Sequence, residues 1–413
     1  MRRYRNGYIV TERTVLSGSI VITEGDRITF VGPSPEAPPT PGAEIVDLDG
    51  GYLVPGFIDL HVHGGAGADF MDGTPEAWDT ICRAHARHGT TRFTPTTTVA
   101  RHDQHIEFLK RCREFHQHSP GTRVLGAHLY GPYFAAEARG CHPGAHVRPP
   151  TPDDYRPYFD YADVIRTATV APELPGAEEF VRACRKLGIR CNAGHSYATF
   201  EQMREAIDWG VTHVDHLFCA MSDRAKLRLT QTFPMRGGVM EATLFFDELT
   251  TEVIADGKHL QSELLRLAFK LKGPDRLALV TDTNRAMDMP DGEYLFGPLD
   301  GGEPVLRRDG VGLTPDGKAL ASSVVGMDHC VRTFRDLVPE ATLPEVIRMA
   351  TLTPARILGL EQELGSIAEG KCADLVVLNE TFHVRRVVIG GDFVQHARHL
   401  LHEKTPGSSP GVS

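Results

Sequence analysis

Hydrophobic and polar positions follow two different rhythms along this chain. Over residues 1 to about 54, short β-rich runs such as Ser19-Ile20-Val21-Ile22 and Arg27-Ile28-Thr29-Phe30-Val31 are separated by turns and followed by a Pro-rich loop, which is the pattern of a small sheet. From Val54 onward the order changes to apolar strand, loop and amphipathic helix, repeated. Strand candidates end near His63, Pro95, Leu129, Ala171, His195, His216, Asp256 and Asp282, with helical patterns between most of them, as expected of parallel βα units. Eight such strands close a barrel. One further apolar run, 238–246, stands before the seventh strand and spoils the count. Beyond Asp282 the stretch 287–312 reads as irregular and 343–360 as helical, while 365–378 and 385–389 return to strand character.

The late strands are expected to join the early ones. The chain is therefore read as α/β: a (β/α)8 TIM-like barrel over 55–359, with a small β-sandwich domain built from both chain ends, 1–54 and 360–404. The segment 405–413, rich in Pro, Gly and Ser, reads as a flexible tail. The length of 413 residues leaves room for a barrel of ~250 residues and something smaller. With 41% hydrophobic and 24% charged residues, the composition is that of a globular protein with a large core. A formal charge of −10 and scattered basic residues argue against a nucleic-acid surface, and no apolar run approaches membrane-spanning length. The eight cysteines form no C-x-x-C pair, which favours reduced thiols, a cytoplasmic location and no thiolate-held zinc.

The chemistry concentrates where strands end. In Val54-Pro55-Gly56-Phe57-Ile58-Asp59-Leu60-His61-Val62-His63-Gly64, the period of two places His61 and His63 on one face of a strand, able to grip one metal ion. His116 and His118 share the spacing, but they lie in a charged stretch that reads as the exposed end of a helix. Context separates the pairs: His61 and His63 follow a strand and precede a Gly-rich loop, at the face where a barrel enzyme places its chemistry. His195, His216 and Asp282 fall at equivalent ends of later strands. Five such residues at one barrel mouth point to a metal site.

With these residues in place, the chain resembles the N-acetylglucosamine-6-phosphate deacetylases of the amidohydrolase superfamily. The resemblance runs through Pro55-Gly56-Phe57-Ile58-Asp59, Gly194-His195-Ser196, His216-Leu217-Phe218-x-Ala220-Met221, Ala255-Asp256-Gly257-x-His259, Thr281-Asp282 and Gly370-Lys371-x-Ala373-Asp374. It implies that metal-activated water attacks an acetamide carbonyl, that Asp282 moves a proton to the departing sugar amine, and that His195 and His216 are metal ligands. It also implies that His142 and His259 lie against the substrate and that the enzyme is a homodimer. The chemistry agrees, because an amide is a poor electrophile that needs both a metal and a proton donor.

Two departures stand out. The family's strand-three motif His-Leu-Glu-Gly-Pro, with Glu as a metal ligand, is His128-Leu129-Tyr130-Gly131-Pro132 here. A free phenol has a pKa near ~10, so Tyr130 is expected to line the pocket, with ligation as phenolate the alternative. Two close dications need a bridging anion, so one ion is expected, held by His61, His63 and Asp282, with His195 or a water completing the site. Zinc is the first expectation, with Fe2+, Mn2+ or Co2+ as alternatives. The second departure concerns substrate. Cys219 replaces the familiar Asn before Ala220, and the phosphate-binding Arg-Glu-Pro-Gly segment gives way to Arg224-Ala225-Lys226-Leu227-Arg228-Leu229, leaving Arg228 as a candidate in an altered register. The leading expectation is deacetylation of N-acetylglucosamine 6-phosphate or an unphosphorylated relative. A deaminase or cyclic amidase on the same barrel, and a non-catalytic sugar-phosphate binding protein, are the competing readings.

Overall fold

The computed structural model describes residues 1–230 and 233–394. The expected tail, 405–413, and the end of the 360–404 segment lie outside the described residues. Eight parallel strands carry the centre of the molecule, here β1 (Phe57–Val62), β2 (Thr90–Pro95), β3 (Ala127–Leu129), β4 (Ile165–Val170), β5 (Arg190–Ala193), β6 (Val211–Val214), β7 (Thr250–Ile254) and β8 (Leu277–Val280). Most of their residues are buried, which explains why they read as continuous apolar runs: a parallel strand covered on both faces has no solvent side to alternate with. Strands β3 to β8 form one sheet in chain order, and β1 pairs with β2. Parallel bridges join Thr96 to His128 and Val62 to Thr283, linking the two groups at both seams in a curled, TIM-like arrangement.

Two expectations are corrected. The run 238–246 is not an extra strand but the helix Val239–Phe245, which buries Val239, Ala242 and Thr243. Those three lie at helical spacing, and a run this short does not distinguish the two periods. The stretch 287–312 is not irregular: Gly292–Phe296, Glu303–Arg308 and Val311–Leu313 form an antiparallel sheet in chain order. Its strands are mostly half-exposed, so the alternation is weak, yet Phe296 is buried and its ring lies 4.9 Å from that of His63. Through Phe296 this sheet packs against His63. The helical region 343–360 is present as two short helices, Leu343–Met349 and Leu352–Leu358.

The chain ends meet. Leu375–Leu378 pairs antiparallel with Tyr52–Pro55, which pairs in turn with Tyr8–Val10, while Arg2–Arg5, Ser19–Glu24, Arg27–Pro33 and Glu44–Asp47 form a second sheet. Tyr4, Val21 and Val46 of the second sheet share one apolar cluster with Ile9, Leu53, Leu375 and Val388 of the first.

The junction between this small sheet and β1 is Gly56. Its N–H donates to the Asp374 carbonyl at 2.8 Å, and a Cβ added there would lie 2.2 Å from Thr91 Oγ1 and 2.4 Å from Thr91 Cγ2. Thr91 is buried, so it has little room to yield. Gly56→Ala is expected to destabilise the fold by about 1–3 kcal/mol through overpacking. Chemical unfolding of the two proteins checks this.

Candidate metal centre and its pocket

The first and last barrel strands bring the chemistry together. Asp282 N–H donates to the His61 carbonyl at 2.9 Å and His63 N–H to the Thr283 carbonyl at 3.0 Å, so β1 and the end of β8 run side by side. Buried Asp59 reinforces the seam, accepting the Thr281 hydroxyl at 2.6 Å and its N–H at 3.2 Å. Burial pushes the Asp59 carboxyl up to about 7 against the opposing effect of these hydrogen bonds. Three side chains then converge: Asp282 Oδ1 lies 3.2 Å from His63 Nε2 and 3.7 Å from His61 Nε2. One ligand atom from each lies within 4.8 Å of the other two, as a single ion requires.

The donors suit a cation on further grounds. His61 Nε2 is buried without a hydrogen-bond partner, while His61 Nδ1 lies 2.7 Å from Glu252 Oε1. A carboxylate at Nδ1 takes that N–H and leaves the Nε2 lone pair facing Asp282, the tautomer a metal needs. Glu252 is itself held, its other oxygen lying 3.2 Å from His213 Nε2, whose Nδ1 is 2.8 Å from the Thr250 hydroxyl. Burial would raise the Glu252 carboxyl, but His213 and His61 hold it well below its ordinary range. Burial would likewise lower His61, yet Asp282 and Glu252 lift it to about 9. Asp282 is desolvated too, and the neighbouring imidazoles of His61, His63 and His216 still depress it. Without an ion, a proton on His61 therefore stands between two carboxylates.

The remaining candidates line a cavity of about 300 Å3 above this centre, with three qualifications. His195 and His216, taken as ligands from the resemblance, do not enter the three-donor cluster. His195 Nδ1–H donates to the Ala138 carbonyl at 2.7 Å, which leaves its Nε2 lone pair open, and His216 Nε2 sits 2.5 Å from the Tyr130 hydroxyl. Tyr130 does face the centre, its ring 4.5 Å from that of His61 and 5.3 Å from that of His195. Its burial raises the phenol well above its ordinary range, which favours the neutral hydroxyl. Cys219, Ala220, His142 and His259 also line the cavity. Arg228 does not: it is exposed, at the C-cap of the short helix Arg224–Leu227, and Lys226 of that helix lines the cavity in its place.

Backbone strain marks the same strand ends. His195, His216 and Asp282 have φ of 46°, 24° and 47°, in the left-handed region that non-glycine residues avoid at a cost of order 1–3 kcal/mol each. His116, by contrast, closes the helix His102–Gln117 and is tied to the Val124 carbonyl, away from the site.

Sequence reasoning missed the layer behind the ligands. Asp215 accepts the Thr169 hydroxyl at 2.6 Å and the Asn192 amide at 2.7 Å, and His128 Nε2 lies 2.8 Å from Thr169. Two signals were available: Glu252 is a lone acid inside the strand Thr250–Ile254, and Asp215 directly precedes His216. Glu252→Gln keeps the volume and removes the charge that orients His61. It is expected to weaken divalent-metal affinity by about 10–100-fold, as read by competition with a chelator at neutral pH.

Comparison with known proteins identifies the family. The family model described as "Amidohydrolase family" matches residues 52–394. The chain is 34% identical over 349 residues to an N-acetylgalactosamine-6-phosphate deacetylase of Escherichia coli O157:H7, covering 84% of this chain and 89% of the relative. It is 32% identical over 391 residues to the N-acetylglucosamine-6-phosphate deacetylase of Bacillus subtilis, covering 93% and 94%. The crystal structure of N-acetylglucosamine-6-phosphate deacetylase from Pasteurella multocida superposes with a TM-score of 0.87 at 30% identity, over 95% of this chain and 99% of that one. With a family match across most of its length and the metal-donor cluster at the barrel mouth, the chain belongs to the amidohydrolase family, alongside the N-acetylglucosamine-6-phosphate deacetylases.

Proposed function

We propose that this protein hydrolyses the acetamide of N-acetylglucosamine 6-phosphate, giving glucosamine 6-phosphate and acetate, with one divalent ion, zinc before Fe2+, Mn2+ or Co2+, held by His61, His63 and Asp282. The observation that carries this reading is the convergence of those three donors on the floor of a substrate-sized cavity. Relatives named as amino-sugar phosphate deacetylases support it, as does a Mycobacterium smegmatis structure described as a complex with N-acetyl-D-glucosamine-6-phosphate, 28% identical with a TM-score of 0.84 over 95% of this chain and 99% of that one.

The ion, when bound, supplies Lewis acidity that lowers the pKa of water toward ~7. Asp282 accepts a proton from the attacking water and passes it to the amide nitrogen as the carbon–nitrogen bond breaks, so the amine leaves neutral. Glu252 keeps His61 in the required tautomer. Lys226 is the one Lys or Arg lining the cavity among the described residues, and it offers the cation for a phosphate. It is held 4.1 Å above the Tyr197 ring. His142, whose Nδ1 accepts the Val99 N–H, and His259, anchored by Asp256, present their other nitrogens to the sugar.

The reading extends to the whole chain. It comprises a (β/α)8 barrel over 55–359 and a β-sandwich made of 1–54 with 360–394, in a cytoplasmic homodimer. The sheet shared by both chain ends supports the division, and the free cysteines support a reducing compartment. Exposed Leu229, Phe233, Met235 and Phe245 support a second copy, since apolar groups clustered in one surface segment mark interaction sites.

Metal analysis of purified protein, coupled to turnover of N-acetylglucosamine 6-phosphate, tests the proposal. One ion per chain and stoichiometric acetate are expected, whereas ammonia release or absence of turnover would refute it. Asp282→Asn is expected to lose ~10²–10⁴-fold in rate or more even in molecules that retain metal, measured as kcat per metal-loaded chain. Tyr130→Glu restores a carboxylate between the His61/His63 pair and the His195/His216 pair. It is expected to raise the metal content toward two ions per chain by elemental analysis.

A further inference from the structure

Tyr130 occupies the place of a family metal ligand but cannot serve as one while it remains a buried neutral phenol. Its surroundings give it another use. Tyr130 is 1% exposed, and its ring is gripped between His61 at 4.5 Å and Phe134 at 4.8 Å, which fixes the direction of the hydroxyl. That hydroxyl lies 2.5 Å from His216 Nε2, and both residues line the cavity.

The proton arrangement in this pair follows from His216 Nδ1, which is buried with no hydrogen-bond partner. A proton on Nδ1 would be an orphaned buried N–H, which native structures rarely tolerate. An empty lone pair is the smaller loss. The proton therefore sits on Nε2 and is donated to the Tyr130 oxygen. A phenol oxygen that already accepts one hydrogen bond keeps its own O–H free to donate, and more strongly, because the two bonds polarise each other.

We propose that Tyr130 is a catalytic residue of this protein, its O–H donating to the acyl oxygen of the substrate as negative charge develops there, with His216 N–H behind it as the second link of the relay. This rests on the amide-hydrolase reading above. Replacing Glu by Tyr thus exchanges a ligand for an oxyanion donor. No proton is transferred by Tyr130; it stabilises charge, while Asp282 moves the proton from water to nitrogen. Removing one such donor typically costs 10²–10³-fold in kcat, because the interaction is stronger in the transition state than in the ground state.

The test compares wild type with Tyr130→Phe, both as metal-loaded enzyme, on N-acetylglucosamine 6-phosphate. Metal per chain and thermal midpoint are measured on the same preparations. The expected result is a fall of about 10²-fold or more in kcat with KM changed by less than about threefold, at unchanged metal content and midpoint. A phosphonate analogue of the tetrahedral centre should lose affinity in parallel with kcat/KM, while glucosamine 6-phosphate binds as before. Retention of kcat within about threefold would overturn the assignment, as would a loss that follows metal content and is restored by added metal. A wild type that releases no acetate removes the deacetylase reading and this inference with it, whereas an active wild type matched by an active Tyr130→Phe removes only the inference.

Discussion

The site depends on one seam, where β1 lies against the end of β8. Two backbone hydrogen bonds, from Asp282 to His61 and from His63 to Thr283, fix the register, and the buried Asp59–Thr281 pair locks it from below. A shift of one residue in either strand would turn His61 and His63 away from Asp282, because side chains alternate faces with a period of two. The barrel turns a separation of more than two hundred residues into 3.2 Å between His63 and Asp282.

Around that seam the protein concentrates charge in a dry place. Asp282 and Glu252 are buried carboxylates whose ionisation is favoured by the imidazoles between and around them. An uncompensated buried charge is costly, and the same arrangement becomes favourable when a cation sits in its middle. His61 held up to about 9 shows the demand: in the absence of an ion a proton occupies the position. Ion and proton compete there, so metal binding releases protons and weakens as pH falls.

The pocket is also shaped by a single large side chain. The ring of Tyr130 packs among His61, Phe134 and His195, and its hydroxyl finds His216. Of the two further imidazoles, His195 is oriented by the Ala138 carbonyl at Nδ1 and His216 Nε2 meets the Tyr130 hydroxyl.

The sequence by itself determined the strand-helix rhythm, the pairing of late strands with early ones and the choice of His61, His63 and Asp282 as candidate donors, which the fold brings together. These are properties of local pattern: buried parallel strands read as apolar runs, and a His-x-His at a strand end keeps both rings on one face. Short segments were the limit, as the helix Val239–Phe245 and the antiparallel sheet over 292–313 show, because a few residues do not separate two periods and half-exposed strands hardly alternate. Only the tertiary structure decided which groups stand behind the donors. Glu252 reaches His61 across the barrel, Lys226 rather than Arg228 reaches the cavity, and the Tyr130 hydroxyl meets His216. Each of these is a contact between distant segments set by strand order and backbone direction, and no local spacing records it.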